Sequence, residues 1–252
     1  MRLEGYARMI DFSPLDRHER TALSFSGGKD SLACLYLLRP HLDRITVYHH
    51  DTGDLMPETR AIVSQVKGMC PNFVHIKGNI RSWIDENGLP TDLLPYSMHG
   101  LGVAVGQSGA KLVTRYQCCF INLMWPIWAR IKEDGNTLCI RGTKLADQAK
   151  LPAYDGETHD NIEMWFPINT WSHEDVQKYL ASVRAPRNPL YDHMTNSPEC
   201  ARCTAWWDER RGAYLRTNHP SLFAEYARDL KIVAREVAKP INALRRELAE
   251  VI

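Results

Sequence analysis

The residue run with the clearest chemistry is Ser26-Gly27-Gly28-Lys29-Asp30-Ser31, which follows an apolar segment and precedes an amphipathic one. A glycine pair between a strand and a helix lets backbone N–H groups turn toward an anion at the helix N-terminus. Lys29 adds a positive charge, and the two serines add hydroxyl donors. Asp30 is suited to hold a Mg²⁺ ion that bridges phosphates. The run therefore predicts a nucleotide phosphate site, with a spacing different from the Gly-x4-Gly-Lys-Ser/Thr loop.

The chain has seven cysteines, and its first residues show no secretory signal. Structured thiol spacing in a reducing compartment indicates metal binding or catalysis rather than disulfides. Four cysteines form two close pairs, Cys118-Cys119 and Cys200-x-x-Cys203. Four thiolates suit either Zn²⁺ or a [4Fe–4S] cluster, and plain buried thiols are the third interpretation. The remaining three follow apolar patterns and are interpreted as core residues: Cys34, Cys70 and Cys139.

Alternating strands and helices are predicted around the phosphate loop. Residues 21–25, 45–49 and 72–76 have the composition of strands, and helical patterns begin at Ser31 and Pro57. This succession predicts an α/β protein with a parallel sheet covered by helices.

The rest of the chain is less regular. Residues 137–141 are a further predicted strand, and residues 86–113 have the composition of a long loop. A capping box, Ser172 to Asp175, predicts the start of a helix. A C-terminal helical pattern follows Ser221, and we expect a break or kink at Pro240.

The length suits either one large globular domain or one domain that carries a small appendage. The 252 residues are 44% hydrophobic and 24% charged, and no run of about 18 apolar residues is present. We therefore expect a cytoplasmic protein without a membrane partner. The formal net charge of +1 excludes a protein that binds nucleic acid through a general basic excess, so any such contact must be a local patch.

Several motifs together resemble one family. The phosphate loop is that of the adenine nucleotide α-hydrolase-like (PP-loop) superfamily. Asp51-Thr52-Gly53 with Pro57-Glu58-Thr59 resembles the signature of the phosphoadenosine phosphosulfate (PAPS) and adenosine phosphosulfate (APS) reductases. Similar matches occur at Arg141-Gly142-Thr143-Lys144, Phe166-Pro167-Ile168, Asn188-Pro189-Leu190-Tyr191 and Pro198-Glu199-Cys200. The resemblance covers roughly residues 20–215.

The resemblance implies a doubly wound, mostly parallel sheet with a C-terminal helical segment. It implies a nucleotide-binding domain over residues 1–215, with the four-cysteine site, and a helical extension over residues 216–252. The implied cofactors are ATP, Mg²⁺ and a [4Fe–4S] cluster. The implied catalytic residues are Lys29, Asp30, Arg141 and Lys144; the nucleotide-binding residues are Ser26, Gly27, Gly28, Ser31, Asp51, Thr52 and Gly53; the cluster ligands are Cys118, Cys119, Cys200 and Cys203.

Two departures from the family pattern bear on function. The reductases carry a catalytic cysteine on a C-terminal tail, whereas no cysteine follows Cys203 here. They also follow their cysteine pair with arginines that bind sulfate, whereas residues 120–125 here are Phe-Ile-Asn-Leu-Met-Trp. An apolar wall does not stabilise a sulfate dianion. Arg115, just before the pair, either compensates for the missing arginines or is a surface residue.

Three hypotheses follow. The leading one is an ATP pyrophosphatase or sulfurtransferase with an iron–sulfur cluster, which works with a cysteine desulfurase or another sulfur donor. Its acceptor would be a nucleic acid, as in tRNA thiolation or DNA phosphorothioation. The second is an APS or PAPS reductase whose thiol comes from Cys139 or from a partner in trans. The third is a nucleotide-sensing interaction protein without turnover. The sequence does not decide the oligomeric state.

Overall fold

The computed structural model describes residues 10–93, 109–145, 147, 153–194, 197–207 and 210–251. The chain divides into two compact units. The sheet unit is formed by Met1–Asp51, Met56–Lys77 and Trp125–Leu190, and the cysteine unit by Thr52–Leu55, Gly78–Met124 and Tyr191–Ile252. The boundary expected between residues 215 and 216 stays a prediction.

The strands have two to seven residues each, whereas the α-helices have five to 32. The strands are β1 Thr21–Ser24, β2 Ile45–Asp51, β3 Asn72–Lys77, β4 Leu89–Thr91, β5 Leu112–Thr114, β6 Leu138–Ile140, β7 Thr158–His159 and β8 Ile162–Trp165. The α-helices are α1 Ser13–Arg17, α2 Lys29–Leu37, α3 Pro57–Lys67, α4 Ile80–Asn87, α5 Arg115–Cys119, α6 Trp125–Glu133, α7 His173–Ser182, α8 Arg211–Asn218 and α9 Pro220–Val251. Residues Phe120–Met124 form a π-helical stretch after α5.

The sheet unit is built on a six-stranded sheet in the order β3-β2-β1-β6-β8-β7. Neighbouring strands are parallel, except that β7 runs antiparallel to β8. Because β2 and β3 extend to one side of β1 and β6 and β8 to the other, the sheet is doubly wound, which confirms the predicted fold class.

Alternate residues of the central strands face two different cores. Leu23 and Val47 belong to a core with apolar residues of α2, α3 and α7. Their sequence neighbours Ala22 and Tyr48 belong to a second core with Ile131 of α6. This period of two places helices on both faces of the sheet, so its strands are buried on both sides.

The cysteine unit has its own small core. Strands β4 and β5 pair in parallel, with Leu89 opposite Leu112. Ile84 of α4, Leu112, Cys118 and Val233 of α9 share one buried cluster. One of the four predicted cluster ligands is therefore a core residue of this unit.

The predicted elements of the sheet unit are confirmed to within two residues. The capping box is present, because Ser172 Oγ accepts from the Asp175 N–H at 3.1 Å and the Ser172 N–H donates to Asp175 Oδ2 at 2.9 Å. Helix α9 continues through Pro240 without a break. One lost N–H donor is tolerated there because the adjacent turns remain intact.

The predicted loop over residues 86–113 is wrong at its ends, since β4 and β5 lie within it. Its central part, residues 94–108, lies outside the described residues. Among the helices that the structure describes, none combines the length and apolar character that crossing a membrane requires.

Candidate nucleotide and cysteine sites

The phosphate loop lies at the switch point of the sheet. Residues 26–31 follow β1 and residues 141–144 follow β6, and these two strands are parallel neighbours. Open α/β sheets bind ligands outside the carboxyl ends of their strands, where the strand order reverses. Because β1 and β6 run in the same direction, both predicted phosphate-binding segments lie at the edge of the sheet where a ligand is expected.

Helix α2 begins at Lys29, two residues earlier than predicted, so Lys29, Asp30 and Ser31 form its first turn. The Gly28 N–H donates to Ser26 Oγ at 3.2 Å, and Ser31 Oγ donates to the Gly28 carbonyl oxygen at 3.0 Å. These bonds fix the loop on the N-terminal end of a nine-residue helix, where the helix dipole favours an anion.

Gly27 is required by both its backbone and its surroundings. Its φ is +84°, and a Cβ at this position would lie 2.9 Å from Thr59 Cγ2 and from Val63 Cγ2 of α3. A side chain would therefore push α3 away as well as strain the backbone. The glycine pair thus has a packing role that its sequence context alone does not reveal.

Four charged side chains converge behind the loop. Lys144 is fully buried, with its Nζ 2.7 Å from Asp30 Oδ1 and 2.8 Å from Asp147 Oδ2. Lys29 Nζ lies 3.0 Å from Asp30 Oδ2. We call Lys29, Asp30, Lys144 and Asp147 the lysine–aspartate network; its two cations and two anions balance.

This network brings together three of the four residues predicted to be catalytic. Arg141, the fourth, is half-buried at the end of β6, where its N–H donates to the Trp165 carbonyl oxygen at 3.0 Å. Asp147 was missed by sequence reasoning. Its spacing of three residues from Lys144 was a usable signal, although an isolated carboxylate in a loop is too common to be singled out.

At Gly142, the segment after β6 lies directly against the backbone of the phosphate loop. A Cβ at Gly142 would lie 2.5 Å from the carbonyl carbon of Asp30 and 2.6 Å from the Ser31 nitrogen. Both are backbone atoms, so the phosphate loop itself would have to move. We expect Gly142→Ala to weaken ATP binding at least 10-fold and to lower the free energy of unfolding by about 1–3 kcal/mol through overpacking. Isothermal titration calorimetry and urea unfolding measure the two effects.

Gly68 provides the matched control, because a Cβ there meets no atom within 4 Å. Gly68→Ala should bind ATP as the wild type does. An equally tight Gly142→Ala variant would show that the close approach does not set the loop geometry.

The segment predicted to face the adenosine contributes residues to both units. Asp51, at the end of β2, pairs with Arg60 at 3.4 Å in the sheet unit. In the cysteine unit, Thr52 Oγ1 donates to the Glu199 carbonyl oxygen at 3.3 Å and accepts from Cys200 Sγ at 3.7 Å. Gly53, with φ +84°, lies against the Gly78 carbonyl. The Thr52 side chain is thus engaged by the cysteine loop, and the adenosine contacts of all three residues stay a prediction.

The four predicted cluster ligands all lie in the cysteine unit and influence one another. Burial, followed by the nearby Cys119 and Cys203, raises the pKa of Cys118 to about 12. Burial and then Cys203 raise the pKa of Cys119 to about 11. The pKa of Cys200 is likewise well above its ordinary value through burial and then Cys203. Cys203 is therefore the thiol that the other three have in common.

These four thiols have the donor chemistry of an iron–sulfur site. Burial favours the protonated form of Cys118, Cys119 and Cys200, and a bound metal centre would release their protons. Within the described ranges, no three or more His, Cys, Asp or Glu side chains are arranged around a point as ligands of one metal ion. The cluster therefore stays a prediction that rests on the four thiols as a donor set.

A buried ion pair holds the second cysteine pair in place. Asp54 is buried, and its carboxylate accepts from the Arg202 side chain at 2.7 Å and from the Arg202 N–H at 3.1 Å. The Asp54 carbonyl oxygen accepts from the Ala201 N–H at 2.6 Å, and Arg202 also pairs with Glu225 of α9. Sequence reasoning missed this arrangement because its partners lie about 150 residues apart.

The remaining cysteines, Cys34, Cys70 and Cys139, are buried core residues, as predicted. Burial raises the pKa of Cys70 and of Cys139 to about 11 and raises that of Cys34 further. Cys139 lies within β6 and is fully buried, so its thiol reaches no substrate in this structure. This argues against Cys139 as the nucleophile of a reductase.

Arg115 is not a free sulfate ligand. Its Nε lies 3.1 Å from Asp92 Oδ1, and its guanidinium lies over the Trp206 ring at 4.6 Å from the centroid. The side chain is only 20% exposed, so the interpretation as a surface arginine does not describe it well.

Comparison with known proteins places these features in a family. The phosphoadenosine phosphosulfate reductase domain profile matches residues 20–84 and 97–206. The chain is 22% identical to the adenosine 5'-phosphosulfate reductase of Allochromatium vinosum over 179 residues, 70% of this chain and 65% of that protein. It therefore spans slightly less than two thirds of this relative's length.

Solved structures share the fold. A PAPS reductase from Candida auris, in a phosphate complex, has a TM-score of 0.51 and 16% identity, covering 76% of this chain and 84% of that one. An NH3-dependent NAD synthetase from Campylobacter jejuni has a TM-score of 0.51 and 13% identity, with 92% and 94% covered. A U34-tRNA thiolase from Methanococcus maripaludis, solved with its [4Fe–4S] cluster, has a TM-score of 0.50 and 15% identity, with 91% and 78% covered.

Proposed function

We propose that this chain, which belongs to the phosphoadenosine phosphosulfate reductase domain family, is an ATP-using sulfur-transfer enzyme rather than a sulfonucleotide reductase. The relatives named above are enzymes, and the phosphate loop is complete. The observation that carries the proposal is the lysine–aspartate network at the switch point. The network suits phosphate chemistry, whereas reduction of a sulfonucleotide needs a reactive thiolate.

In the proposed reaction, an acceptor oxygen attacks the α-phosphorus of ATP. The bond to the α–β bridging oxygen breaks, and pyrophosphate leaves with the electron pair. Lys29, Lys144 and the amides at the start of α2 stabilise the charge that develops on pyrophosphate. Asp30 is the residue placed to hold Mg²⁺, an ion that serves as a Lewis acid when bound. Sulfide from a donor then displaces AMP from the activated acceptor.

Cys118, Cys119, Cys200 and Cys203 are the residues that would hold a [4Fe–4S] cluster. Such a cluster supplies, when bound, a centre able to carry sulfur or electrons. The chain's own contribution is the positioning of these thiols by the Asp54–Arg202 pair and by the core around Cys118. A cysteine desulfurase or a similar protein is the proposed sulfur donor.

A second function is kept because one curated relative is an APS reductase. In that case a partner protein would supply the nucleophilic thiol in trans, since Cys139 is buried. The third hypothesis, a nucleotide sensor without turnover, has no observation of its own in the structure.

The test uses anaerobically purified protein in two reactions. With α-labelled ATP and Mg²⁺ we expect AMP and pyrophosphate, at a slow rate without the acceptor. With APS and reduced thioredoxin we expect no sulfite. Sulfite formation at a steady rate would replace the proposal with the reductase, and tight ATP binding without either product would favour the sensor.

A further inference from the structure

Helix α9 carries an open groove in the cysteine unit, and the residues that line it all belong to this helix. Its apolar part is formed by Phe223, Ala227 and Ile232, and its cations are Arg228, Lys231 and Arg235. The three cations follow an i, i+3, i+7 spacing, which places them on one side of the helix over about 10 Å. We call this surface the basic groove.

The arginine at the near end of the groove is not cancelled by its carboxylate neighbour. Arg228 Nη2 lies 3.0 Å from Asp229 Oδ1, but Asp229 also pairs with Arg81 at 2.7 Å. Asp229 is buried, whereas the Arg228 side chain is 62% exposed. Two cations share one carboxylate, which leaves one positive charge toward solvent.

The far end repeats this arrangement. Arg235 pairs with the buried Glu236 at 3.0 Å, and Lys239 pairs with the same carboxylate. Lys231, between the two ends, is exposed and has no ion pair among the residues that the structure describes. Five cations thus face two carboxylates, an excess of three positive charges. The whole chain has a net charge of only +1, so this excess is a local feature.

An aromatic ring at the end of the groove already has a stacked cation. The Arg216 guanidinium of α8 lies over the Phe223 ring at 4.9 Å from its centroid. Exposed cations that follow a line, beside an aromatic ring and small apolar side chains, fit a strand with regularly spaced phosphates and planar bases. An acidic protein segment would match the charges but would leave the apolar part without a defined partner.

We propose that the basic groove binds single-stranded nucleic acid, with phosphates on Arg228, Lys231 and Arg235 and a base beside Phe223. The basic groove lies in the cysteine unit, whereas the phosphate loop lies in the sheet unit. If the proposed sulfur transfer is correct, the strand bound in the groove is the sulfur acceptor, and this assignment rests on that proposed function. Other residues of α9 contribute to the cysteine site, because Val233 packs in the core with Cys118 and Glu225 pairs with Arg202. The strand would therefore be held on the unit that carries the four thiols.

Fluorescence anisotropy with labelled 20-nucleotide oligo-dT and oligo-U, and with a 20-base-pair duplex, tests the proposal on the full chain. Three phosphate contacts predict a slope of about −2 for log affinity against log salt concentration on single strands. Affinity should therefore fall about 20-fold between 50 and 200 mM salt. The stronger of the two single-stranded probes identifies DNA or RNA, and preferred binding of the duplex contradicts the proposal.

The test variant is R228Q/K231Q/R235Q, in which Asp229 and Glu236 keep Arg81 and Lys239 as partners and folding should be preserved. We expect at least 10-fold weaker binding at 50 mM salt and a slope near zero. The control K67Q/K132Q/K178Q removes three exposed charges of the sheet unit and should bind as the wild type does. Equal binding by the wild type and the test variant, or tighter binding of a polyglutamate peptide than of either oligonucleotide, overturns the proposal.

Binding needs no turnover, so the two proposals fail separately. Oligonucleotide binding without ATP cleavage would retain the basic groove and remove the proposed enzyme activity. ATP cleavage by a protein that binds none of the oligonucleotides would retain the proposed enzyme activity and reject the basic groove as a nucleic-acid site.

Discussion

Replacing Lys144 with alanine is expected to lower the rate of ATP cleavage by about 100-fold or more, the usual cost of removing one preorganised group that stabilises a departing oxyanion. Lys144 is fully buried and pairs with two carboxylates. Without it, Lys29 alone would face Asp30 and Asp147, and the site would repel a triphosphate. Single-turnover formation of AMP from labelled ATP measures the effect.

A double variant separates a contact with phosphate from simple charge balance. If Lys144 only neutralises Asp147, the K144A/D147N variant should recover most of the activity, whereas loss of a phosphate contact should leave it impaired. K178A, which removes an exposed lysine paired with Glu174 on α7, is the control and should retain full activity. A K144A rate within twofold of the wild type would remove Lys144 from the proposed mechanism.

The second large effect is expected at Cys203. Cys203 is one of the four proposed ligands, and its replacement would leave one iron of the cluster without its protein thiolate. Anaerobically purified wild-type protein should contain about four irons per chain and absorb as a [4Fe–4S] protein. We expect C203S to contain less than one iron per chain, measured by iron analysis and visible absorption.

Cys70 is the matched control. It is a buried thiol of the sheet unit that donates to the Val66 carbonyl at 3.4 Å, a bond that a serine can retain. C70S should keep the wild-type iron content, and circular dichroism should confirm that both variants fold. One stoichiometric zinc in the wild-type protein, or an unchanged iron content in C203S, would contradict the cluster assignment.

Local patterns predicted the sheet unit well for identifiable reasons. The apolar run 21–25, the glycine pair and the helical pattern after Ser31 are consecutive, so their periodicity shows in the sequence itself. The Ser172 capping box is a contact between residues three apart. In both cases the element is determined by residues within it, so the sequence of that segment is enough to predict it.

The short strands β4 and β5 could not be predicted in this way. Each has three residues, too few to show an alternation, and they pair with each other across 23 positions. Their stability comes from the core around Ile84 and Val233, which forms only when distant segments meet.

The sequence by itself determined the kind of chemistry: a glycine-rich phosphate loop and four thiols in two pairs. The tertiary structure alone decided which groups work together. It joined Asp30 to Lys144, Asp54 to Arg202, and the basic residues of α9 into a surface with uncancelled charge. The physical reason is that charge balance and desolvation depend on distances between side chains, and chain folding sets those distances for residues more than 100 positions apart.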